Sequence, residues 1–147
     1  MTVYTIGFTQ KTAEQFFTLL RENRVELLID VRLNNKSQLA GFTKDCDLSF
    51  FLRELCSAKY LHCAEFAPSK ELLSSYQKKA ITWDDYERMY DEILEKRRDY
   101  QQFLSRFSNY NRVCLLCSEP TAYRCHRRLL AEKIKSTFPE EVEVVHL

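Results

Sequence analysis

Glycine is scarce in this chain of 147 residues, which has only Gly7 and Gly41. The spaced glycines of a dinucleotide-binding turn (G-x-G-x-x-G) and of a P-loop (G-x-x-x-x-G-K-[ST]) are therefore both missing. Their absence excludes the two most familiar motifs by which the backbone of an α/β domain holds a nucleotide.

Excess charge and long apolar runs are also missing. The net charge of +1 argues against bulk electrostatic binding to nucleic acid or to an anionic membrane. No apolar run approaches the roughly 20 residues of a membrane span, and the first residues lack the basic-then-apolar pattern of a signal peptide. Without a secretion pattern, the six cysteines are expected to be reduced thiols in a cytoplasmic protein that does not contact a membrane.

Short apolar runs alternate with helical patterns along the chain. Buried strands are predicted at residues 3–6, 26–31, 60–64, 113–117 and 142–145. Strands that are apolar throughout and separated by helices are typical of a parallel sheet covered on both faces. The sequence thus predicts a single α/β domain over residues 1–147, a Rossmann-like three-layer fold with about five mainly parallel strands.

The helices are predicted from capping residues followed by apolar periodicity. A capping box of Thr12 and Gln15 begins the first helix, Asp47 is expected to cap the second, and Ser69 opens the third. A long amphipathic pattern begins at Thr82, and a last helix is expected over residues 123–136. The apolar stripe of the long pattern is expected to be core and not part of a ligand site; it runs through Trp83, Tyr86, Tyr90, Ile93, Leu94 and on to Phe107.

Polar residues follow several of the predicted strands, where ligands bind in open α/β sheets. Thr9 follows the first strand, Asp30 and Arg32 end the second, and Glu119 follows the fourth. These residues are expected to meet at one edge of the sheet. For Asp30 and Arg32 a structural ion pair is the alternative to a role in the site.

Glu119 and the residues before the last helix are the strongest candidates for chemistry. A carboxylate between an apolar strand and Pro120 is expected to be partly desolvated, which suits a general acid or base; the alternative is a carboxylate that accepts hydrogen bonds from helix amides or an arginine. Free amides at a helix start and an arginine fork bind anions. The predicted catalytic residues are Glu119, Asp30 and His126, and the predicted anion-binding residues are Arg32, Arg127, Thr9, Cys125 and Cys117; Arg124 and Arg128 are left to a solvated basic face.

The cysteines near this segment leave two further uses open. Cys125, beside basic groups at a helix start, is expected to have enhanced thiolate character, whereas Cys117 is expected to be a packing residue at a strand end. The C-x5-R loop of thiol phosphatases is not matched, because Tyr123 stands six positions after Cys117. A metal site of Cys117, Cys125 and His126 with Cys63 lacks paired C-x2-C elements, so no metal and no cofactor is predicted.

At these residues the chain resembles the domain-of-unknown-function family numbered 488, over nearly its whole length. The resemblance implies an α/β domain with ligand binding or catalysis, and it supplies no established reaction. Its motifs occur here in the family's order: Tyr4-Thr5-Ile6-Gly7, Asp30-Val31-Arg32, Ala67-Pro68-Ser69, and Leu116-Cys117-x-Glu119 followed by Cys125-His126-Arg127.

The chain also departs from that family's pattern. Phe8-Thr9 stands where the family has His-Ser, and Ala122 stands where it has a proline. Asn35 and Ser37-Gln38 replace a proline and a Ser-Arg pair. The loss of a histidine at Phe8 and of an arginine at Gln38 weakens an acid-base or anion-binding role there, and indicates a divergent member with altered specificity or lost activity.

Three functions are consistent with these residues. The first is an enzyme acting on a phosphate-bearing substrate, either a nucleotide or a nucleic acid, by carboxylate and histidine acid-base chemistry. The second is a sensor or adaptor that binds a nucleotide-like anion without catalysis. The third is a redox or metal protein that uses Cys117 and Cys125.

Overall fold

Five parallel strands form one sheet in the computed structural model, which describes residues 1–36 and 41–147. The strands are β1 (Thr2–Gly7), β2 (Leu27–Asp30), β3 (Lys59–His62), β4 (Arg112–Cys117) and β5 (Glu143–His146). Their order is β3-β2-β4-β1-β5, and every neighbouring pair is parallel. The predicted parallel α/β sheet is confirmed.

Helices cover both faces of this sheet. They are α1 (Ala13–Glu22), α2 (Asp45–Phe51, continued by a π-helical turn over Leu52–Cys56), α3 (Lys70–Gln77), α4 (Trp83–Arg97), α5 (Phe103–Arg106) and α6 (His126–Thr137). One apolar cluster packs α1 and α2 against one face of the sheet. A second apolar cluster packs the helices α3, α4, α5 and α6 against the other face. This is the predicted three-layer arrangement.

Side chains of the inner strands alternate between these two clusters. Leu28 and Cys114 pack with α1, whereas Ile29 and Leu115 pack on the face covered by α6. Because both faces are covered, residues 113–117 of β4 are buried without a break. No helix in the described part of the chain has the length and apolar character needed to cross a bilayer.

Most helix starts lie where their capping residues predict. Thr12 and Thr82 form complete capping boxes, and Ser69 accepts a hydrogen bond from the Leu72 amide. The expected cap at Asp47 is wrong, because α2 begins two residues earlier and Lys44 is its N-cap residue. The acidic side chains of its first turn favour the helix start without capping it.

Two helical boundaries differ from the predicted pattern. The stripe that begins at Thr82 is not one helix, because Arg98 adopts a left-handed conformation (φ 61°) and ends α4. The last helix begins at His126 and not at residue 123, since Cys125 is extended (φ −141°, ψ 137°). Arg124 therefore lies in the loop before α6, at the edge of the sheet.

The carboxyl ends of β1 and β4 form the crevice of the sheet. The chain leaves β1 through α1, on one face, and leaves β4 through α6, on the other. Gly7 pairs with Cys117 at the end of this register, and the Thr9 amide donates to the Ser118 carbonyl oxygen at 3.2 Å. Open α/β sheets bind ligands where the connections diverge in this way.

Candidate functional site

A cleft of about 440 Å³ opens at the carboxyl ends of the strands. It brings together most of the residues that the sequence predicts for the site: Thr9, Arg32, Cys117, Glu119, Cys125 and His126. Asp30 and Arg127 do not line it, because both side chains are fully buried behind its wall. The chain thus gathers three distant segments at one edge of the sheet.

Gly7 allows the loop after β4 to cross the end of β1. A β-carbon at this position would lie 1.6 Å from the Glu119 carbonyl oxygen and 2.9 Å from the Arg127 Nη1 atom. Any side chain would therefore displace the backbone that leads from Cys117 into the cleft wall. The glycine is needed for a close backbone approach.

Asp30 and Arg32 form a buried ion pair. Arg32 Nε donates to Asp30 Oδ1 at 2.8 Å, and Nη2 donates to Oδ2 at 2.6 Å and to the Thr43 carbonyl oxygen at 2.7 Å. The Tyr60 hydroxyl also donates to Oδ2, at 2.8 Å. Burial alone would lower the pKa of Arg32, but the hydrogen bond and charge of Asp30 raise it. Asp30 and Arg32 thus form the structural ion pair that was the alternative to a role in the site. Both carboxylate oxygens of Asp30 already accept hydrogen bonds.

Among the positions that depart from the family pattern, Phe8 lies in the described part of the chain. Phe8 is buried, and the Arg32 guanidinium carbon lies 5.2 Å from the centre of its ring. Phe8 therefore packs under the arginine, where a histidine would have placed a second titratable group. Ser37 and Gln38 lie outside the described residues.

Arg127 ties the start of α6 to the loop that follows β4. Its Nη1 atom donates to the Glu119 carbonyl oxygen at 2.6 Å and approaches Cys125 Sγ at 3.5 Å. Its Nε and Nη2 atoms have no hydrogen-bond partner among the described residues. The side chain is fully buried, so it contributes positive charge behind the cleft and not at its surface.

His126 has a partner on each ring nitrogen. Nε2 lies 3.0 Å from the Val31 carbonyl oxygen, which can only accept, so Nε2 donates. Nδ1 lies 3.5 Å from Cys117 Sγ. The ring is held by two other segments of the chain, at Val31 and at Cys117, and its Nδ1 atom is directed toward the Cys117 sulfur.

The two thiols beside His126 have opposite acidities. Burial opposes ionisation of Cys117, but hydrogen bonds from Cys125 and from the Glu119 and Ser118 amides, with the charge of Arg127, lower its pKa. Burial and the neighbouring Cys117 raise the pKa of Cys125 well above its ordinary value. The expected thiolate character of Cys125 is therefore wrong, and Cys125, the backbone after β4 and Arg127 favour the Cys117 thiolate instead.

Glu119 and Arg124 lie at the mouth of the cleft. Both are exposed, so the desolvation expected for Glu119 from its apolar flanks does not occur. Arg127 reaches the backbone oxygen of Glu119 and leaves its carboxylate free of that contact. The Arg124 guanidinium lies 5.4 Å from the Tyr123 ring centre and lines the cleft, a position that the solvated-face interpretation missed.

An aromatic wall of Tyr76, Trp83 and Tyr86 closes the other side of the cleft. Trp83 and Tyr86 stack at 5.1 Å and 18°, and the Tyr76 ring centre lies 5.0 Å from that of Tyr86. The core interpretation holds for Tyr86 and Tyr90, which are buried, whereas Trp83 is partly exposed. Only one feature of the sequence could have indicated that Trp83 lines the cleft. Trp83 is the first residue of α4, so it stands at the end of the apolar stripe.

The wall extends the cleft into a second cavity of about 580 Å³. The two cavities share Glu119 and Arg124 as well as the side chains of Leu73, Tyr76, Gln77 and Trp83. The combined space holds aromatic faces, an amide, and a carboxylate and a guanidinium that have no hydrogen bond to the described residues. Such a mixture suits a planar ligand that carries negative charge.

Comparison with known proteins gives a match to one family. The model described as "Domain of unknown function DUF488" matches residues 12–134. No curated protein and no solved structure matches the chain significantly.

Proposed function

Since the chain belongs to the DUF488 family, whose description names no activity, we propose from the cleft itself that it is an enzyme acting on a phosphate-bearing, nucleotide-like substrate. One observation carries this proposal. The aromatic wall, Arg124 and Glu119 line the same cleft at the carboxyl ends of the strands. They offer a stacking surface, a cation and a proton-transfer group within one space.

The aromatic wall supports the base-binding part of the proposal. Stacking of a nucleobase on an aromatic side chain contributes about 1–3 kcal/mol of binding free energy per base. The exposed part of Trp83 lies beside Tyr76, so a planar ring has an apolar surface to cover. Gln77 and Asn34 line the same space and offer amide groups to the edge of a base.

Arg124 supports the phosphate-binding part. Arg32 has Asp30 on Nε and Nη2, and Arg127 is buried, so neither presents a free fork to the cleft. Arg124 is exposed, lines both cavities and precedes the start of α6. A guanidinium beside a helix start binds phosphate through charge and bidentate hydrogen bonds.

Glu119 supports the catalytic part. Asp30 is engaged on both oxygens, and both ring nitrogens of His126 have partners. Glu119 is the carboxylate left free at the cleft among the predicted acid-base residues. In a hydrolase or transferase it would take a proton from the attacking nucleophile or give one to the leaving group.

Binding without catalysis is the second candidate, and the engagement of Asp30, Arg32 and His126 favours it. The distinction rests on turnover. A purely binding protein shows saturable ligand binding with no product, and the same Kd in the Glu119→Gln variant as in the wild type.

The test combines fluorescence and turnover. Trp83 is the only tryptophan of the chain, so its emission reports directly on the aromatic wall. A panel of nucleosides and nucleotides is titrated, and each is then incubated with the protein to detect product. We expect quenching by a nucleotide, with product formation lost in Glu119→Gln and affinity weakened roughly tenfold in Arg124→Ala.

Arg53→Ala is the matched control, because Arg53 is an exposed arginine outside the cleft. It should retain wild-type affinity and turnover. Full activity on an identified substrate in both Glu119→Gln and Arg124→Ala would refute the proposed roles. Failure of the whole panel to change Trp83 emission would refute the nucleotide-like class.

A further inference from the structure

We propose that Cys117, Cys125 and His126 form a binding site for a soft divalent transition metal, with Zn²⁺ as the first candidate. The metal would have two thiolate ligands and one imidazole ligand. The ligand atoms of the three side chains all lie within 4.8 Å of one another, and all three residues are buried. The proposal concerns metal binding and does not depend on the identity of the substrate.

The distance between two of these atoms agrees with zinc geometry. Zn–S bonds of about 2.3 Å and Zn–N bonds of about 2.0–2.1 Å in a tetrahedral site place sulfur and nitrogen about 3.5 Å apart. Cys117 Sγ and His126 Nδ1 lie 3.5 Å apart. The two atoms can therefore contact one ion with little movement of either side chain.

The orientation of His126 is a second, independent observation. Its Nε2–H donates to the Val31 carbonyl oxygen at 3.0 Å, so in the neutral ring Nδ1 has the lone pair, and Nδ1 is directed at Cys117. Metal-binding histidines characteristically donate their other ring N–H to a carbonyl or carboxylate in this way. The bond fixes both the tautomer and the plane of the ring.

Cys125 has a hydrogen-bond donor of the kind that thiolate ligands accept. Arg127 Nη1 donates to Cys125 Sγ at 3.5 Å. Zn²⁺ with two thiolates and a neutral imidazole has no net charge, and the buried Arg127 guanidinium lies beside it as a hydrogen-bond donor to one sulfur. Metal binding would release the two thiol protons to solvent.

Cys63 is not the fourth ligand in this structure. Its Sγ atom accepts a hydrogen bond from Arg106 Nη2 at 3.5 Å, and it is not a member of the cluster. The three ligand residues line the cleft, so a water or a substrate atom can take the remaining position. An open fourth position is the mark of a catalytic zinc site and not of a structural one.

Glu119 gives this open position a chemical use, a step that rests on the proposed function. Glu119 follows Cys117 by two residues and lines the same cleft. A metal held by Cys117, Cys125 and His126 would supply an activated water for hydrolysis, and Glu119 is a carboxylate that lines the same cleft.

The test is metal binding by the full chain under reducing conditions. Stripped protein is titrated with Zn²⁺ against a chromogenic chelator, and Co²⁺ is added separately as a spectroscopic probe. We expect one Zn²⁺ per chain, and a Co²⁺ spectrum with thiolate charge-transfer bands and the intense visible bands of a tetrahedral site.

Variants assign the ligands. Cys117→Ser, Cys125→Ser and His126→Ala should each lose the bound equivalent and the charge-transfer bands or weaken them severalfold, whereas Cys46→Ser, at an exposed cysteine outside the cluster, should retain both. The wild-type Co²⁺ spectrum tests the proposal even where a variant fails to fold. Absence of a bound equivalent, an octahedral spectrum, or equal loss in Cys46→Ser would overturn the site. These results leave the nucleotide titration unaffected, so the two proposals fail separately.

Discussion

At the scale of single residues, the shape of the cleft depends on residues that have no part in the proposed reaction. Gly7 permits the loop after β4 to pass over β1, and the Asp30–Arg32 pair fixes the end of β2 against Thr43. Both features are buried, so their loss is expected to change stability before it changes binding. Two substitutions measure these contributions.

Gly7→Ala should destabilise the fold by about 3 kcal/mol or more, since the added methyl group overlaps the Glu119 carbonyl oxygen at 1.6 Å. The measurement is the free energy of unfolding in urea. Gly41→Ala is the matched control, because a β-carbon there meets no atom of the described residues within 4 Å, and a change within about 0.5 kcal/mol is expected. Equal effects of the two substitutions would contradict the close approach at Gly7.

Asp30→Asn should cost about 3–5 kcal/mol, because it leaves the buried Arg32 guanidinium without its countercharge. Glu92→Gln, which removes a carboxylate from the exposed pair with Arg88, should cost under about 1 kcal/mol. The double variant Asp30→Asn, Arg32→Met should recover part of the lost stability in the same urea experiment. A double variant as unstable as the sum of its parts would show that the pair is not coupled.

At the scale of elements, helix starts depend on local bonds that respond to pH. At the start of α4, Asp85 accepts hydrogen bonds from the Thr82 hydroxyl and amide. These bonds lower the pKa of Asp85 below 3.8. Because the folded pKa is depressed, this contribution is present above about pH 4 and is lost as the pH falls through the folded value.

Thr82→Ala should raise the pKa of Asp85 toward 3.8, since the hydroxyl donor is the largest cause of its shift. The measurement is the NMR titration of the Asp85 carboxyl carbon. Thr82→Ser keeps the hydroxyl and should keep the depressed pKa. The alanine variant should also lose about 1 kcal/mol of stability at neutral pH. An Asp85 titration that is the same in all three proteins would refute the capping account.

Some of the helices and strands could be predicted from the sequence, whereas some helix boundaries could not. The capping box at Thr12 and the central strands β1, β2 and β4 were predictable because a few neighbouring residues determine them, whereas the edge strands β3 and β5, which were predicted to be buried, are partly exposed. The start of α6 was not predictable, because an extended Cys125 depends on where the loop from β4 must cross the sheet edge. The break at Arg98 was missed for a related reason, since the apolar stripe continues past it while the backbone turns.

The same limits apply to the candidate site. Its convergence was predictable, because parallel strands place their carboxyl ends at one edge. The aromatic wall was not, because a side chain that lines a cleft and one that fills a core show the same helical periodicity, as Trp83 and Tyr86 do. The hydrogen bond of Asp30 with Tyr60 depends on a distant residue, and the hydrogen bond of Arg127 with the Glu119 carbonyl oxygen depends on the path of the loop after β4.

At the scale of the whole molecule, the topology places the cleft. The connections after β1 and β4 diverge to opposite faces, so the loop with Cys117 and Glu119 meets the end of β1 and faces the start of α4. A different apolar groove lies between α1 and α2, lined by Phe17, Phe42, Phe51 and Leu55. We expect a ligand to bind in the cleft and not in this groove.

The most direct test is an NMR titration of ¹⁵N-labelled protein with a nucleoside monophosphate. Binding in the cleft should give saturable shift changes at the Thr9, Ser118 and Glu119 amides and at the Trp83 indole N–H, with little change at Phe51 and Leu55. Shift changes confined to the groove between α1 and α2, or none at saturating ligand, would contradict it.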